Sequence, residues 1–278
     1  MDLIHRIADL NERLRNVGSV AFVPTMGNLH TGHLELVRLA CTHGSTVVAS
    51  IFVNPLQFGP QEDFDAYPRT LEADCAQLQA AGCDVVFAPS VTEMYPVQQQ
   101  IEIVPPPISR ELCGAFRPTH FQGVATVVAK LFNIVQPSVA VFGKKDYQQL
   151  FVIRALVQQL NYPLQIVAAE TTRAADGLAL SSRNGYLSEP ERQQAPRLYH
   201  ELQTIAAQLG AGSRAYAILE QGAQRELEAL GWRVDYISVR DLNTLMAPIE
   251  GTQAFVVLGA AWLGKTRLID NIEVSAVA

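Results

Sequence analysis

The sequence has few of the features that mark secreted, membrane or nucleic-acid-binding proteins. It has four cysteines in 278 residues, none in a Cys-x-x-Cys pair, and a chain of this length needs no disulfides to hold its core. Lysine and arginine number 21 against 27 acidic residues, and the net charge of −6 argues against a general nucleic-acid binder. No apolar run approaches the length of a membrane span, and residues 1–6 lack a secretory signal pattern. We therefore expect a cytoplasmic globular protein with free thiols.

Apolar residues, by contrast, are abundant and fall in short runs. They make up 49% of the chain, enough for one large or two moderate cores. The segment 46–53 is a continuous β-branched run, which is typical of a strand covered on both faces. Strands are predicted over 20–23, 46–53, 84–88, 100–104, 138–142 and 164–167, and helices over 3–16, 70–81, 123–135 and 147–160. This alternation predicts a doubly wound, Rossmann-like α/β domain with a parallel sheet.

The pattern changes after Thr171. Residues 176–185 are polar and rich in turn formers, and Asn184-Gly185 is a strong turn signal. Helices are then predicted over 189–209 and 214–230, followed by strands over 234–239, 253–258 and 268–274. We therefore predict that residues 1–171 form the Rossmann-like domain and residues 172–278 a smaller α+β domain.

Two histidines stand at a predicted strand-to-helix junction. His30 and His33 flank Gly32, just where the chain turns from strand to helix. Backbone N–H groups and the helix dipole favour an anion at a helix start. Imidazoles there can add hydrogen bonds and positive charge to a phosphate undergoing substitution. Core packing is the alternative, but the adjoining glycine turn favours a phosphate site.

Two further loops fall at the same edge of the predicted sheet. The loops at 54–58 and 143–149 follow strands, so they join 26–33 at the carboxyl ends, where doubly wound domains bind ligands. Lys145 suits a phosphate and Asp146 suits ribose hydroxyls. The bland alternative is that this pair only begins a solvated helix.

Other polar residues suit a polyphosphate or a hydroxy acid. Ser181, Ser182 and Arg183 offer two hydroxyls and a guanidinium that could clamp a polyphosphate, unless they form an ordinary serine-rich turn. Gln57 and Gln149 can each donate and accept hydrogen bonds, as a hydroxy acid requires, although either one alone could be a surface amide.

One motif near the C-terminus imitates a phosphate-binding P-loop. Gly259–Thr266 fits the pattern G-x-x-x-x-G-K-[ST] after a predicted strand. A P-loop must open a helix, however, and the residues after Thr266 are strand-like. We therefore predict a turn between two strands. No metal-ligand spacing is present around His30 and His33.

Together the loops resemble one family, the pantothenate synthetases (pantoate–β-alanine ligases) of the H-x-G-H nucleotidyltransferase superfamily. An H-x-G-H motif alone is a weak signal, but the ordered set of matches is specific. The matching stretches span nearly the whole chain and are Pro24–His33, Phe52–Phe58, Asp65–Thr70, Phe116–Phe121, Gly143–Gln149, Asp176–Asn184 and Leu268–Asn271.

The resemblance implies an ATP-dependent ligase that works through an acyl adenylate. Pantoate would attack the α-phosphorus of ATP to give pantoyl adenylate and pyrophosphate, and β-alanine would then release AMP and pantothenate. The resemblance also implies a homodimer and Mg²⁺ bound with ATP, for which we assign no ligand from the protein. Residues 172–278 would form a lid. From charge and hydropathy we expect no nucleic-acid or membrane partner.

The same resemblance assigns residues to each ligand. The implied ATP contacts are Met26, Gly27, Asn28, Leu29, His30, Thr31, Gly32, His33, Gly143, Lys144, Lys145, Asp146, Thr172, Leu180, Ser181, Ser182 and Arg183. Within that set the implied catalytic residues are His30, His33, Lys145, Ser181 and Arg183, with His33 as the proton donor. Gln57 and Gln149 would hold the substrate pantoate.

Two positions depart from the family pattern, and two other functions stay open. Lys144 stands where the family often has glutamate, and Thr172 stands where a valine commonly meets adenine. One alternative is another H-x-G-H nucleotidyltransferase, which would not need the paired glutamines. The other is a catalytically inactive nucleotide-binding regulator, although both histidines and Lys145 are present.

Overall fold

The computed structural model describes residues 1–59, 62 and 64–275. Within them the chain divides into two compact units. The first comprises Met1–Ser109, Arg117–Lys144 and Gln149–Glu170. The second comprises Arg110–Phe116, Lys145–Gln148 and the described residues from Thr171 onward. The predicted boundary between residues 171 and 172 stays a prediction.

A six-stranded parallel sheet organises the first unit. Its strands are β1 (Asp2–Ile4), β2 (Val20–Thr25), β3 (Thr46–Ile51), β4 (Val85–Phe87), β5 (Val139–Gly143) and β6 (Gln165–Ala169). Their order across the sheet is β1-β4-β3-β2-β5-β6, and every pairing is parallel. The strand order reverses between β2 and β5, which is where doubly wound sheets bind ligands. The predicted Rossmann-like fold is confirmed.

In the described part of the chain, seven helices lie between successive strands of this sheet along the sequence. They are α1 (Ile7–Leu14), α2 (Thr31–Ala40), α3 (Leu71–Ala80), α4 (Val91–Met94), α5 (Cys113–Phe116), α6 (His120–Val135) and α7 (Tyr147–Gln159). Short 3-10 helices occupy Pro55–Gln57, Pro107–Arg110 and Lys144–Asp146.

Both faces of the parallel sheet are buried, because successive residues of a strand point to opposite sides. Phe22 and Val48 belong to one cluster, which also contains Phe132 of α6. Val23 and Ala49 belong to a second cluster with Leu78 of α3. Continuous apolar runs in β2 and β3 are therefore what this sheet requires.

The second unit packs helices against a three-stranded antiparallel sheet. Its strands β7 (Arg233–Asp241), β8 (Ala254–Leu263) and β9 (Thr266–Ser275) lie in sequence order. The helices are α8 (Glu189–Gln194), α9 (Arg197–Gly210) and α10 (Tyr216–Ala229), and a 3-10 helix covers Ser182–Tyr186. This arrangement confirms the smaller α+β fold.

Several sequence predictions were wrong in detail. Residues 100–104 form no strand, because no strand of the sheet pairs with them. The helix predicted over 3–16 begins only at Ile7, since residues 2–4 pair in parallel with β4. The helix predicted over 189–209 is broken before Arg197, and Pro196 stands at the break.

Two other predictions, on the P-loop look-alike and on the thiols, are confirmed. Gly259–Leu263 lies inside β8, and β9 begins at Thr266, so the P-loop look-alike is a strand followed by a turn. All four cysteines are free thiols. Among the described residues, no helix is long and apolar enough to cross a membrane.

Candidate active site

The loop between β2 and α2 turns sharply in the left-handed region of backbone space. Gly27 has φ of 83° and Asn28 has φ of 50°. Glycine adopts such angles without cost, and asparagine tolerates them better than most residues. The Thr25 hydroxyl, which donates to the carbonyl oxygen of Ser50 at 2.7 Å, also accepts from the Gly27 N–H at 3.3 Å. The loop is thereby tied to the ends of β2 and β3.

A buried carboxylate on α3 holds this loop from behind. Asp74 is 1% exposed and accepts from the backbone N–H groups of Asn28 (2.9 Å) and Leu29 (2.8 Å) and from the Thr70 hydroxyl (3.0 Å). Sequence reasoning missed Asp74, because nothing local marks a carboxylate more than forty residues along the chain as a partner of this loop.

The two histidines begin α2 and brace each other. His30 is the N-cap, and its Nδ1 accepts from the Gly32 N–H at 3.1 Å. The Nδ1 of His33 accepts from the His30 N–H at 3.3 Å, and the two ring centroids are 4.1 Å apart. Since both Nδ1 atoms accept, a neutral ring carries its proton on Nε2. Each ring can therefore donate from Nε2.

A chain of amide hydrogen bonds orients Gln57 toward the β2 loop. The Tyr95 hydroxyl donates to Asn54 Oδ1 at 2.7 Å, and Asn54 Nδ2 donates to Gln57 Oε1 at 3.2 Å. Gln57 Nε2 lies 2.9 Å from Met26 Sδ. Burial raises the pKa of Tyr95, so its hydroxyl stays protonated and keeps this direction of donation. The structure thus brings Gln57 to Met26.

The helix α6 packs directly onto the turn that carries Gln57. A Cβ on Gly123 would lie 2.2 Å from the carbonyl oxygen of Leu56, so only glycine allows this approach. His120 Nδ1 lies 2.9 Å from the Gln57 carbonyl oxygen, and the Arg117 guanidinium lies 3.4 Å from it. Sequence reasoning gave neither His120 nor Tyr95 a place in the site.

The end of β5 carries residues with different partners. Gly143 ends the strand, and the Lys144 ammonium pairs with the Glu170 carboxylate at 2.6 Å. The Lys144 charge is therefore paired with a carboxylate that is itself largely exposed. Gln149 lies in the first turns of α7, and in the described part of the chain no side chain bonds its amide.

The remaining predicted ATP residues belong to the second unit. Lys145 is mostly buried, with its Nζ 3.9 Å from Asp146 Oδ2, and its carbonyl oxygen accepts from Asn271 Nδ2 at 2.9 Å. Thr172 accepts from the Leu180 N–H through its backbone carbonyl. Ser181 caps the following 3-10 helix by accepting from the Arg183 N–H, and Ser182 begins that helix.

A parallel sheet with a histidine-capped helix at its switch point places the chain among the doubly wound α/β proteins, with an H-x-G-H motif at a helix start that suits a phosphate. Residues 2–273 match the family model described as pantoate-beta-alanine ligase. The chain therefore belongs to the pantoate-beta-alanine ligase family, which confirms the resemblance and the enzyme class expected from the sequence.

Curated relatives match this chain over its full length. The chain is 58% identical to pantothenate synthetase of Thiobacillus denitrificans, covering 100% of this chain and 99% of the relative. It is 60% identical to that of Chromobacterium violaceum, covering 99% of each.

Two solved structures share the fold. Pantothenate synthetase of Thermus thermophilus has a TM-score of 0.93 at 46% identity, covering 99% of this chain and 100% of that one. A pantoate-beta-alanine ligase of Francisella tularensis, complexed with beta-gamma ATP and beta-alanine, has a TM-score of 0.83 at 32% identity, covering 98% and 97%.

Proposed function

We propose that this chain joins pantoate to β-alanine at the expense of ATP. The observation that carries the proposal is the family match over residues 2–273, to which the histidine-capped junction adds a site suited to phosphate. In the first step a pantoate carboxylate oxygen bonds to the α-phosphorus and pyrophosphate leaves. In the second step the β-alanine nitrogen bonds to the acyl carbon, loses a proton and expels AMP.

The junction after β2 supplies groups for the first step. As that step proceeds, negative charge builds on the α-phosphate and on the departing pyrophosphate, and fixed donors stabilise it. His30 and His33 would donate hydrogen bonds from Nε2 to this charge. For His33 to act as the proton donor to the leaving group its ring must first be the imidazolium, whose Nδ1 is protonated and gives up the hydrogen bond from the His30 N–H. The backbone from Met26 to His33 would lie along ATP.

The other predicted residues would complete the ATP contacts. Lys145, Ser181, Ser182 and Arg183 would bind the phosphates, and Asp146 and Gly143 the ribose. Lys144, Thr172 and Leu180 would also contact the nucleotide, and a contact through the Thr172 backbone would survive the change of side chain at that position.

Pantoate would be held by uncharged amides. The hydrogen bonds that orient Gln57 leave its amide beside Met26, and Gln149 carries an amide without a side-chain partner in the described residues. Such amides can donate to a carboxylate and accept from a hydroxyl without repelling the anion.

Four further statements belong to this proposal: the first three follow the family resemblance, and the fourth follows the composition of the sequence. Residues 172–278 act as a lid that keeps water from the adenylate. Mg²⁺ enters with the ATP phosphates, and the described residues contain no group of three side chains that could hold it alone. The enzyme is a homodimer. It works in the cytoplasm.

An oxygen-labelling experiment tests the proposal. Pantoate labelled with ¹⁸O in its carboxylate is incubated with the enzyme, ATP, Mg²⁺ and β-alanine. We expect pantothenate and AMP in equal amounts, with one labelled oxygen in the AMP phosphate. Without β-alanine, pantoate should still support exchange of labelled pyrophosphate into ATP. Folded protein that yields neither product would overturn the proposal, and activity with other acids but not pantoate would favour another nucleotidyltransferase.

A further inference from the structure

Two adjacent polar residues in the middle of β9 are buried, and the roles proposed above do not use them. Asp270 and Asn271 are each 5% exposed. A buried carboxylate or amide is costly unless its hydrogen bonds are made, so their partners show what they hold.

Asp270 anchors the segment that leads to Ser181. Its Oδ2 accepts from Arg173 Nη1 at 2.6 Å and its Oδ1 from Arg173 Nη2 at 2.8 Å. Arg173 also donates to the Gly177 carbonyl and lies 3.4 Å over the Tyr199 ring. This arginine is thus fixed by an ion pair, a backbone bond and a ring.

The fixed arginine is the foot of a small hairpin. Arg173 forms a bridge with Ala179, and the Leu180 N–H donates to the Thr172 carbonyl. Ser181 is the next residue, so this hydrogen-bonded hairpin leads directly into the loop Ser181–Arg183. Asp270 acts on that loop through Arg173.

Asn271 anchors Lys145. Its Nδ2 donates to the Lys145 carbonyl oxygen at 2.9 Å, and its own carbonyl accepts from Arg173 Nη2 at 3.2 Å. The Asn271 N–H in turn donates to Asp270 Oδ1 at 2.7 Å. The two anchors are therefore one bonded network on a single strand.

We propose that Asp270 and Asn271 are positioning residues for the adenylation step. They fix the position of Lys145 relative to the loop Ser181–Arg183, so that both can bind the phosphates of one ATP. The proposal rests on the function proposed above. Groups that stabilise developing charge must be placed before the reaction, and a small misplacement is costly.

A purely structural role would give different results, and the chain offers a matched control. Arg267 on the same strand pairs with Asp235 at 2.7 Å, with side chains 14% and 8% exposed. The corresponding values for Arg173 and Asp270 are 18% and 4%. Asp235→Asn therefore removes a similar ion pair that touches neither Lys145 nor residues 172–183.

The experiment compares Asp270→Asn, Asn271→Leu and Asp235→Asn with wild-type enzyme. We expect pantoate-dependent pyrophosphate exchange to fall on the order of tenfold to a hundredfold in the first two variants. Aminolysis of supplied pantoyl adenylate should stay near the wild-type rate. The Asp235→Asn variant should have a melting temperature lowered about as much as that of Asp270→Asn, but its rate of pyrophosphate exchange should equal that of the wild type. If Asp270→Asn does not fold, Arg173→Lys takes its place. Lysine keeps the positive charge but cannot form the bidentate hydrogen bonds that Arg173 makes with Asp270.

A double-mutant cycle adds a measurement that a general loss of stability would not change. In a Lys145→Ala background, Asn271→Leu should cost little further exchange activity, because its effect passes through Lys145. Full additivity, or equal loss of exchange in Asp235→Asn, would overturn the inference. An inactive wild-type enzyme would instead overturn the proposed function.

Discussion

At the residue scale, the histidines of α2 show how a side chain can be both a cap and a donor. His33 uses Nδ1 to accept from the His30 backbone, and the same ring has a second nitrogen that can donate to a ligand. The structural role of His33 therefore uses Nδ1 and the proposed chemical role uses Nε2. A substitution that keeps only one of these functions can separate the two roles.

The variant His33→Asn separates these two roles. Asparagine keeps a short acceptor for the His30 N–H but lacks a donor at the place of Nε2. We expect adenylation to fall on the order of a hundredfold to a thousandfold, with an almost unchanged melting temperature. Pyrophosphate exchange and thermal unfolding measure the two effects. Near-normal exchange would remove His33 from the chemistry.

Glu220 on α10 offers a pH test. Burial raises the pKa of this carboxyl although it accepts from the Val239 N–H at 2.6 Å. A folded pKa above the unfolded value near 4.3 means that the charged form weakens folding. The stability contributed by the protonated form is complete below the unfolded pKa and is lost as the pH rises through the folded pKa.

We therefore expect Glu220→Gln to raise the melting temperature at pH 7. The amide oxygen can still accept from Val239, and no charge is buried. The advantage should shrink toward zero as the pH falls to about 3, more than one unit below the unfolded pKa, where the carboxyl is protonated in both states. Glu226→Gln, which removes an exposed carboxylate from the same helix, is the control for the loss of one negative charge. A difference that grows on acidification would contradict the sign.

At the element scale, α3 stabilises a loop that it does not adjoin in sequence. Asp74 collects three donors, two of them backbone N–H groups in the left-handed turn at Asn28. The turn and its conformation therefore depend on a helix that is built later in the chain.

Asp74→Asn tests this dependence. The asparagine NH₂ would face a donor, leaving a buried N–H unpaired at a cost of about 1–3 kcal/mol. We expect a lower unfolding free energy and a raised KM for ATP. Thr70→Val, which removes one donor and leaves both loop bonds, is the control. An unchanged KM for ATP in Asp74→Asn would show that the loop holds its shape without the carboxylate.

The contact of α6 with the turn at Leu56 predicts opposite outcomes for two glycines. Gly123→Ala places a methyl 2.2 Å from a backbone oxygen, so we expect a loss of about 1–3 kcal/mol or more. Gly222 lies in α10, and apart from its chain neighbours and the backbone of its own helix no described atom lies within 4 Å of an added Cβ. Gly222→Ala should gain about 0.5–1 kcal/mol. Urea unfolding of both variants measures the difference, and equal effects would contradict the packing argument.

At the scale of the whole molecule, the two units have separate cores. The clusters of the parallel sheet share no residue with the cluster of α9, α10 and the antiparallel sheet. Leu78 and Leu202 are both 0% exposed, one in each unit. Each can therefore report on its own core.

We expect Leu202→Ala to cost about 2–5 kcal/mol in the second unit. Hydrogen exchange should show lost protection in α9, β8 and β9 and unchanged protection in β2 and β3. Leu78→Ala should give the reverse pattern. Equal loss of protection in both units for either variant would show that the cores unfold together.

Local patterns in the sequence determined the architecture and the family. Strand and helix periodicity is carried by neighbouring residues. The parallel sheet, the change from alternating strands and helices to an α+β pattern after Thr171, and the turn after Leu263 could therefore all be predicted. The ordered loops identified the family because each motif is contiguous. The roles of His33, Lys145 and Arg183 stay predictions.

Only the tertiary structure decided the partnerships that cross the chain. Strand β1 has three residues and no local signal, and it exists because β4 pairs with it. Asp74 finds Asn28, Gly123 meets Leu56, and Asn271 finds Lys145 across 126 positions. The physical reason is that a hydrogen bond or a close contact depends on distance in space, and local periodicity carries no record of which distant residues folding will bring together.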